Sequence, residues 1–304
     1  MTSTEPPVGA EALLAEARAR MDARLGEWAA TLRRELPGPV GEAAAYALLS
    51  PGKRVRAALV IAAYRSVGGR SDGIEGVAAA VETVHAYSLV HDDLPCMDDD
   101  DLRRGHPTTH KAFDVPTATR AGYILVPVAA RILAAAAAEL GLDAPTLGRM
   151  ARELFSAGGV EGMVGGQWAD LEAEQQDLDI AGLTRVHHGK TGALIRAACA
   201  LGGIAAGADA DAVEGLRRFG LDIGLAFQVA DDVLDVTATS AELGKTAGKD
   251  AARAKSTFVR LLGVSGARAE AWDLARRAVD HLVFAEVPSG SLEALGQYIV
   301  ERSS

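Results

Sequence analysis

Apolar residues recur at three- and four-residue spacing along most of the chain, and that period predicts helices rather than strands. Ala10 to Leu36 alternates apolar and charged positions in this way and stops at Pro37-Gly38-Pro39. Shorter helices are expected from Gly41 to Leu49 and from Val55 to Ser66. Val77, Val81, Val84, Ser88 and Asp92 share one face of a helix from Gly76 to Leu94, which Pro95 should end or kink. Further helices are expected from Thr117 to Glu139 and from Thr146 to Trp168, and Leu216, Phe219, Ile223, Phe227, Ala230 and Leu234 mark the apolar face of a later one. The most apolar run, Tyr123 to Leu140, is interrupted by Pro127 and Arg131, and reads as a buried helix, not a membrane span.

This pattern implies an all-α chain, and composition refines the picture. Hydrophobic residues make up 49% of the 304 but aromatics only 5%, so the helices are expected to pack through small side chains, chiefly alanine. A chain of this length can bury a large core as one domain or two, and motifs that straddle its middle favour one domain over 1–304, with 1–9 disordered. The formal net charge is −10, and no basic stripe is available to neutralise phosphates along a groove, which argues against a nucleic-acid partner. Cys96 and Cys199 are too few for a disulfide framework and lack metal-ligand spacing, so a reducing, cytoplasmic location is expected. The N-terminal residues carry no basic segment followed by an apolar stretch, so no signal peptide is expected.

The chemistry is concentrated at two helix ends. His91 to Gly105 holds six carboxylates and two guanidinium groups directly after an apolar helical run. Asp92 and Asp93 fall in that helix's last turn, where the macrodipole disfavours negative charge, so the cluster needs cations. Hard divalent cations with oxygen ligands, Mg²⁺ above all, meet that need when phosphate oxygens complete the shell. A solvated acidic turn would be the plainer reading of one Asp run. However, a second site, Phe227 to Asp235, places Gln228, Asp231 and Asp235 on one helix face at i, i+3 and i+7. Two such motifs, each ending an apolar helix, are hard to assign to chance.

These residues resemble the trans-type isoprenyl diphosphate synthases, the family that contains farnesyl and geranylgeranyl diphosphate synthases. The likeness runs from about Gly52 to Asp250. The first motif, D-D-x-x-x-x-D followed by L-R-R-G, matches Asp92 to Gly105, and the second, D-D-x-x-D, matches Asp231 to Asp235. The resemblance implies the isoprenoid synthase fold, a bundle of about ten or more helices around a central cavity, assembled as a homodimer. It implies a cofactor of three Mg²⁺ ions, replaceable by Mn²⁺, with Asp92, Asp93, Asp98, Asp231 and Asp235 as the ligand set. Arg103, Lys190 and Lys245 would stabilise the departing allylic diphosphate, with Thr191 and Gln228 nearby, while Lys53, Arg56, His85 and Arg104 would hold isopentenyl diphosphate. The reaction implied is a head-to-tail condensation with dimethylallyl or geranyl diphosphate.

Several other features gain or lose weight beside that resemblance. Gly52-Lys53-Arg54-Val55-Arg56 would otherwise be a basic turn at a helix start, where free N–H groups and cations make an anion site. Glu82 and His85 form a Glu-x-x-His pair, yet no second pair exists to build a di-iron bundle. His187 to Leu194 lacks phosphate-loop spacing, and in the family its K-T-G lies at a break within a helix. Gly162 to Leu171 matches a G-x-x-x-G-Q-x-x-D-L block, from which Gln167 and Asp170 could reach the metal site through water. Gly244 to Asp250 reads either as an ordinary surface loop or as a cationic lid. Three positions depart from the family: Ala57, Tyr123 in place of Asp, and Phe258-Val259 in place of Tyr-Pro.

Two rivals are weighed against a synthase. A class I terpene cyclase would need a Glu where Thr239 stands, and a noncatalytic subunit would not need every cationic block to be intact. Product length rests on Tyr87 and Ser88, one turn before Asp92. A bulky Tyr beside a small Ser resembles bacterial farnesyl (C15) synthases, whereas Leu94-Pro95-Cys96-Met97 resembles plant geranylgeranyl (C20) enzymes, so both products stay open.

Overall fold

The structure, a computed structural model, describes residues 9–173, 176–237 and 256–301. The helical period is realised almost throughout. Helix α1 (Ala10–Glu35) buries Leu13, Ala17, Met21, Leu25, Ala29 and Leu32, the three- and four-residue steps of one face. It is followed by α2 (Pro39–Leu48), α3 (Val55–Ser66) and α4 (Ile74–Asp92). After α4 the chain forms a two-stranded hairpin, β1 (Leu102–Arg103) with β2 (His106–Pro107), and the short α5 (Thr109–Ala112). Then come α6 (Val115–Glu139), α7 (Ala144–Gly158), α8 (Met163–Ala173) and α9 (Ile180–His187). A single π-helical turn, His188–Gly192, leads into α10 (Ala193–Ala205), α11 (Ala210–Thr237), α12 (Phe258–Phe284) and α13 (Gly290–Glu301).

Local chemistry explains most boundaries. Asp114, Asp143 and Asp179 accept the N–H groups of Thr117, Thr146 and Gly182 and so cap α6, α7 and α9. Pro95 follows the end of α4 as the sequence predicts, with Asp92 its last residue and Asp93 its C-cap. The expected helix from Thr146 to Trp168 is instead two helices. The chain turns at Gly159–Gly162, and α8 then lies so close to the π turn that a Cβ at Gly166 would meet the backbone of Gly189 and Lys190. Apolar period alone could not show that break, because the pattern resumes in phase after it.

The main core draws on α1 to α4, α6, α7 and α10 to α13, with Phe219, Leu59, Leu125 and Leu194 fully buried. Many of its members are alanines, as composition predicted, which lets α4 be buried around nearly its whole circumference. A smaller cluster, including Leu183, Val229, Phe258 and Leu274, joins α9, α11 and α12. Helix α6 is long and apolar enough to cross a membrane by length and composition, yet half of its apolar window packs inside the bundle. Its outward face is still mostly uncharged: Pro116, Tyr123, Pro127, Ala130 and Ala134 are exposed.

Candidate active site

A cavity of about 310 Å³ opens where the C-terminal turns of α4 and α11 meet α8 and the π turn. His85, Ser88 and Asp92 line it from α4 at i, i+3 and i+7. Gln228, Asp231 and Asp235 line it from α11 at the same spacing, which is why one face of each helix carries all three. Asp98 reaches the cavity because the turn after Pro95 folds back: its N–H donates to the Asp92 carbonyl at 2.8 Å, while Asp99 takes a left-handed φ of 49°.

The charges are arranged around this cavity unevenly. Burial pushes the Asp92 carboxyl up to about 6, opposed by Lys190 and reinforced by Asp98. Lys190 Nζ donates to Asp170 at 2.7 Å. Burial works against its charge, but Asp170, Asp92 and Asp98 outweigh it and hold Lys190 above its ordinary range. Asp170 therefore acts on Lys190 directly, rather than only through water. Thr191 donates to Gln228 Oε1 at 3.3 Å, tying the π turn to α11.

A second cavity, about 280 Å³, lies on the other flank of α4 and shares His85, Leu89 and Arg103 with the first. Arg33, Arg54, Arg104 and His106 add positive or titratable groups to it. His85 stands between the two, 3.3 Å from Arg56. A guanidinium has no acceptor, so His85 Nε2 must accept this bond as a neutral imidazole. Burial, then Arg56 and Arg104, hold its pKa well below the ordinary value. Burial also brings Arg56 down to about 10, with Glu82 opposing. Arg104 packs over Gly52, where a Cβ would strike its guanidinium, and donates to the Pro51 carbonyl. Lys53 sits in the same loop but lines neither cavity.

Some predicted residues are placed differently. Asp93 lines the second cavity and not the first, it is 3% exposed, and both its oxygens accept Arg103 Nε, at 2.8 and 3.0 Å. Its oxygens are thus turned to a guanidinium, away from Asp92's cavity. Ser88 lines the first cavity, but Tyr87 does not; its hydroxyl donates to the Gly158 carbonyl at 2.6 Å. Lys245 and the loop from Gly244 to Asp250 lie outside the described residues.

Other contributors went unread in the sequence. Glu82, weighed only as a di-iron ligand, is buried, pairs with Arg54 at 3.2 Å and accepts the Ala57 N–H. It anchors the basic loop, in which Arg54 takes a left-handed φ of 53°. Asp232 accepts the Phe258 N–H at 2.8 Å and so pins the start of α12 beside α11. A charged residue buried beside a substrate block was the available signal for both.

Among the described residues no three carboxylate, imidazole or thiol groups stand close enough to enclose a cation by themselves. Asp92, Asp98, Asp231 and Asp235 nevertheless border one cavity as hard oxygen donors, and burial makes Asp92 gain from a neighbouring cation. This donor set fits magnesium, provided that phosphate oxygens and water complete the shell.

Comparison with known proteins decides what such a site belongs to. The polyprenyl synthetase family model matches residues 39–281. This chain belongs to the polyprenyl synthetase family. It is a short-chain prenyltransferase of isoprenoid synthesis. It is 45% identical over 269 residues to the farnesyl diphosphate synthase of Escherichia coli, covering 87% of this chain and 90% of that one. It is also 45% identical over 272 residues to the large subunit 1 of the heterodimeric chloroplastic geranylgeranyl pyrophosphate synthase of Arabidopsis thaliana, covering 88% and 73%. Among solved structures, an FPP/GFPP synthase from Zymomonas mobilis superposes with a TM-score of 0.82 at 34% identity, covering 95% of this chain and 98% of that one. A Helicobacter pylori geranyltransferase complexed with magnesium and isoprenyl diphosphate gives 0.78 at 32%, covering 99% and 98%. The all-α isoprenoid synthase fold expected from the motifs is therefore the fold of this prenyltransferase. Equal identity to farnesyl and geranylgeranyl enzymes leaves product length to the site itself.

Proposed function

We propose that this prenyltransferase condenses isopentenyl diphosphate head-to-tail with dimethylallyl or geranyl diphosphate to give farnesyl diphosphate and diphosphate, within a single domain. The observation that carries this reading is a pair of cavities joined at His85, one walled by carboxylates with Lys190, the other bordered by arginines. In that reading Asp92, Asp98, Asp231 and Asp235 hold Mg²⁺, three ions in number and replaceable by Mn²⁺, which supplies charge stabilisation for the departing diphosphate. Lys190 and Arg103 face the same leaving group, and Lys245 is assigned that role by resemblance alone. Arg56, Lys53, Arg104 and neutral His85 hold isopentenyl diphosphate with its double bond toward the allylic carbon, so binding energy becomes orientation. The C–O bond of the allylic diphosphate breaks, the new C–C bond forms, and the departed diphosphate takes the proton lost.

Tyr87 and Ser88 are assigned to product length, with Tyr87 as the floor beyond the cavity. Purified protein incubated with Mg²⁺, isopentenyl diphosphate and each allylic diphosphate should release farnesyl diphosphate; no incorporation would refute catalysis. A main product at C20 would replace the farnesyl reading by the geranylgeranyl one, since the chain is 45% identical to an enzyme of each kind. We also assign a homodimer, supported by the large apolar side chains that α6 exposes, Val115 and Tyr123. A monomeric mass by light scattering would refute that. Free Cys96 and Cys199 fit a reducing cytoplasm.

A further inference from the structure

Helix α8 turns one face to the first cavity, through Met163, Gln167 and Asp170 at i, i+4 and i+7. Its rotation is fixed, because a Cβ at Gly166 would overlap the backbone of Gly189 and Lys190. Its level is fixed at both ends as well. Asp170 accepts the Lys190 ammonium, whose charge Asp92 and Asp98 also support, so that turn lies beside the carboxylates. The Tyr87 hydroxyl donates to the Gly158 carbonyl just ahead of α8, which ties the start of the helix deeper in the bundle. Gln167 therefore stands one turn, ~5 Å, below Asp170 and just inside the ring of carboxylates. It is 7% exposed, and neither Oε1 nor Nε2 has a hydrogen-bond partner in the protein. Gln228, also on this cavity, is engaged at both ends: Oε1 accepts the Thr191 hydroxyl at 3.3 Å, and Nε2 donates to Asp232 at 3.5 Å. A buried amide without partners lowers stability, which points to bonds made with a ligand.

We propose that Gln167 is a catalytic residue that touches the reacting carbon of the allylic substrate, an assignment that rests on the proposed function above. With the diphosphate at the carboxylates, the carbon that bears it hangs one turn below, at the level of Gln167. When the C–O bond breaks, its electron pair leaves with the diphosphate oxygen and the carbon becomes positive. Oε1 faces that carbon and Nε2 donates to the departing oxygen, so one carboxamide stabilises both ends of the breaking bond. Being uncharged, it stabilises the cation without capturing it, whereas a carboxylate at this place would form an ester. The double bond of isopentenyl diphosphate then attacks the same carbon, and the departed diphosphate takes the proton lost.

The experiment compares the unaltered protein with Gln167→Met, which keeps the length and loses both polar atoms, and with Gln167→Asn, which withdraws the amide by one methylene. In steady-state turnover, Gln167→Met should lower kcat by about 10²-fold and leave both KM values within about threefold, because the contact strengthens only as charge develops. Two calorimetric titrations with Mg²⁺ need no turnover. Dimethylallyl thiolodiphosphate, which resembles the intact substrate, should bind Gln167→Met within about threefold of the unaltered protein. The dimethylallyl ammonium ion with inorganic diphosphate resembles the separated ions, and its binding should weaken by about tenfold or more. Gln167→Asn should lose at least about tenfold in kcat, and it carries the same measurements if Gln167→Met does not fold. A kcat within about threefold of the unaltered protein, or equal weakening of the two analogues, overturns this assignment alone. If the unaltered protein incorporates no isopentenyl diphosphate, the proposed function fails and this assignment falls with it.

Discussion

The ends of α4 and α11 carry the same Asp-Asp pair, yet the two pairs divide differently. Asp92 borders the first cavity and Asp93 does not, whereas Asp231 and Asp232 both border it, and Asp93 and Asp232 are both buried. Successive helical residues point about 100° apart, so the two side chains of a pair meet different neighbours. What differs is the partner. Helix α4 ends at Asp92, so Asp93 reaches a downstream hairpin and meets a guanidinium; α11 runs on to Thr237, and Asp232 meets the neutral N–H of Phe258. One second carboxylate answers charge with charge. The other accepts a backbone N–H through Oδ2.

The largest effect should come from the first carboxylates. Asp92→Ala or Asp231→Ala should lower kcat by at least about 10²-fold, the scale lost with one preorganised charge-stabilising group. Near-normal turnover in either would break the likeness between the two walls. Next, the second carboxylates should part company under heat. Asp93→Asn leaves Arg103 without its counter-ion and should cost about 2 kcal/mol, discounted from a fully buried pair because Arg103 is 28% exposed. Asp232→Asn keeps an acceptor for the Phe258 N–H and should cost less than Asp93→Asn does. Similar losses of Tm in both would mean that the partner's charge is immaterial.

Arg56 borders the first cavity beside His85, so Arg56→Ala asks whether the two diphosphates are held by separate groups. It should raise KM for isopentenyl diphosphate about tenfold and leave the allylic KM within about twofold, because it removes uniform binding of one diphosphate. A pH series on metal-free protein gives a smaller signal. Burial raises Asp92 to about 6 from an ordinary value of 3.8, so its cost to stability is absent below about pH 4 and fully present above about pH 6. Asp92→Asn should therefore be more stable than the unaltered protein at pH 7.5, by on the order of 1 kcal/mol, and lose that advantage near pH 4.5. An advantage independent of pH would show that the carboxyl is not desolvated. Finally, Tyr87→Ala should lengthen the main product by at least one C5 unit; an unchanged product would place the floor elsewhere than at the Tyr87 contact with Gly158.

Helix positions were legible because burial of an apolar face imposes its period on the chain. The start and end of α3 and the end of α4 at Pro95 follow from local rules. The face shared by Gln228, Asp231 and Asp235 was legible for the same reason, since three residues on one helix need no tertiary information to be aligned. The sequence alone therefore determined an all-α chain with two acidic helix ends. What it could not determine was direction around each axis relative to neighbours. Asp92 and Asp93 look alike as letters, and only the return of the hairpin with Arg103 assigns one to the cavity and the other to a guanidinium. The break between α7 and α8, the clasp of Asp170 on Lys190 and the anchoring of Arg54 by Glu82 are contacts between residues distant in the chain. Such partners are selected by packing, which is fixed only when the whole bundle has formed.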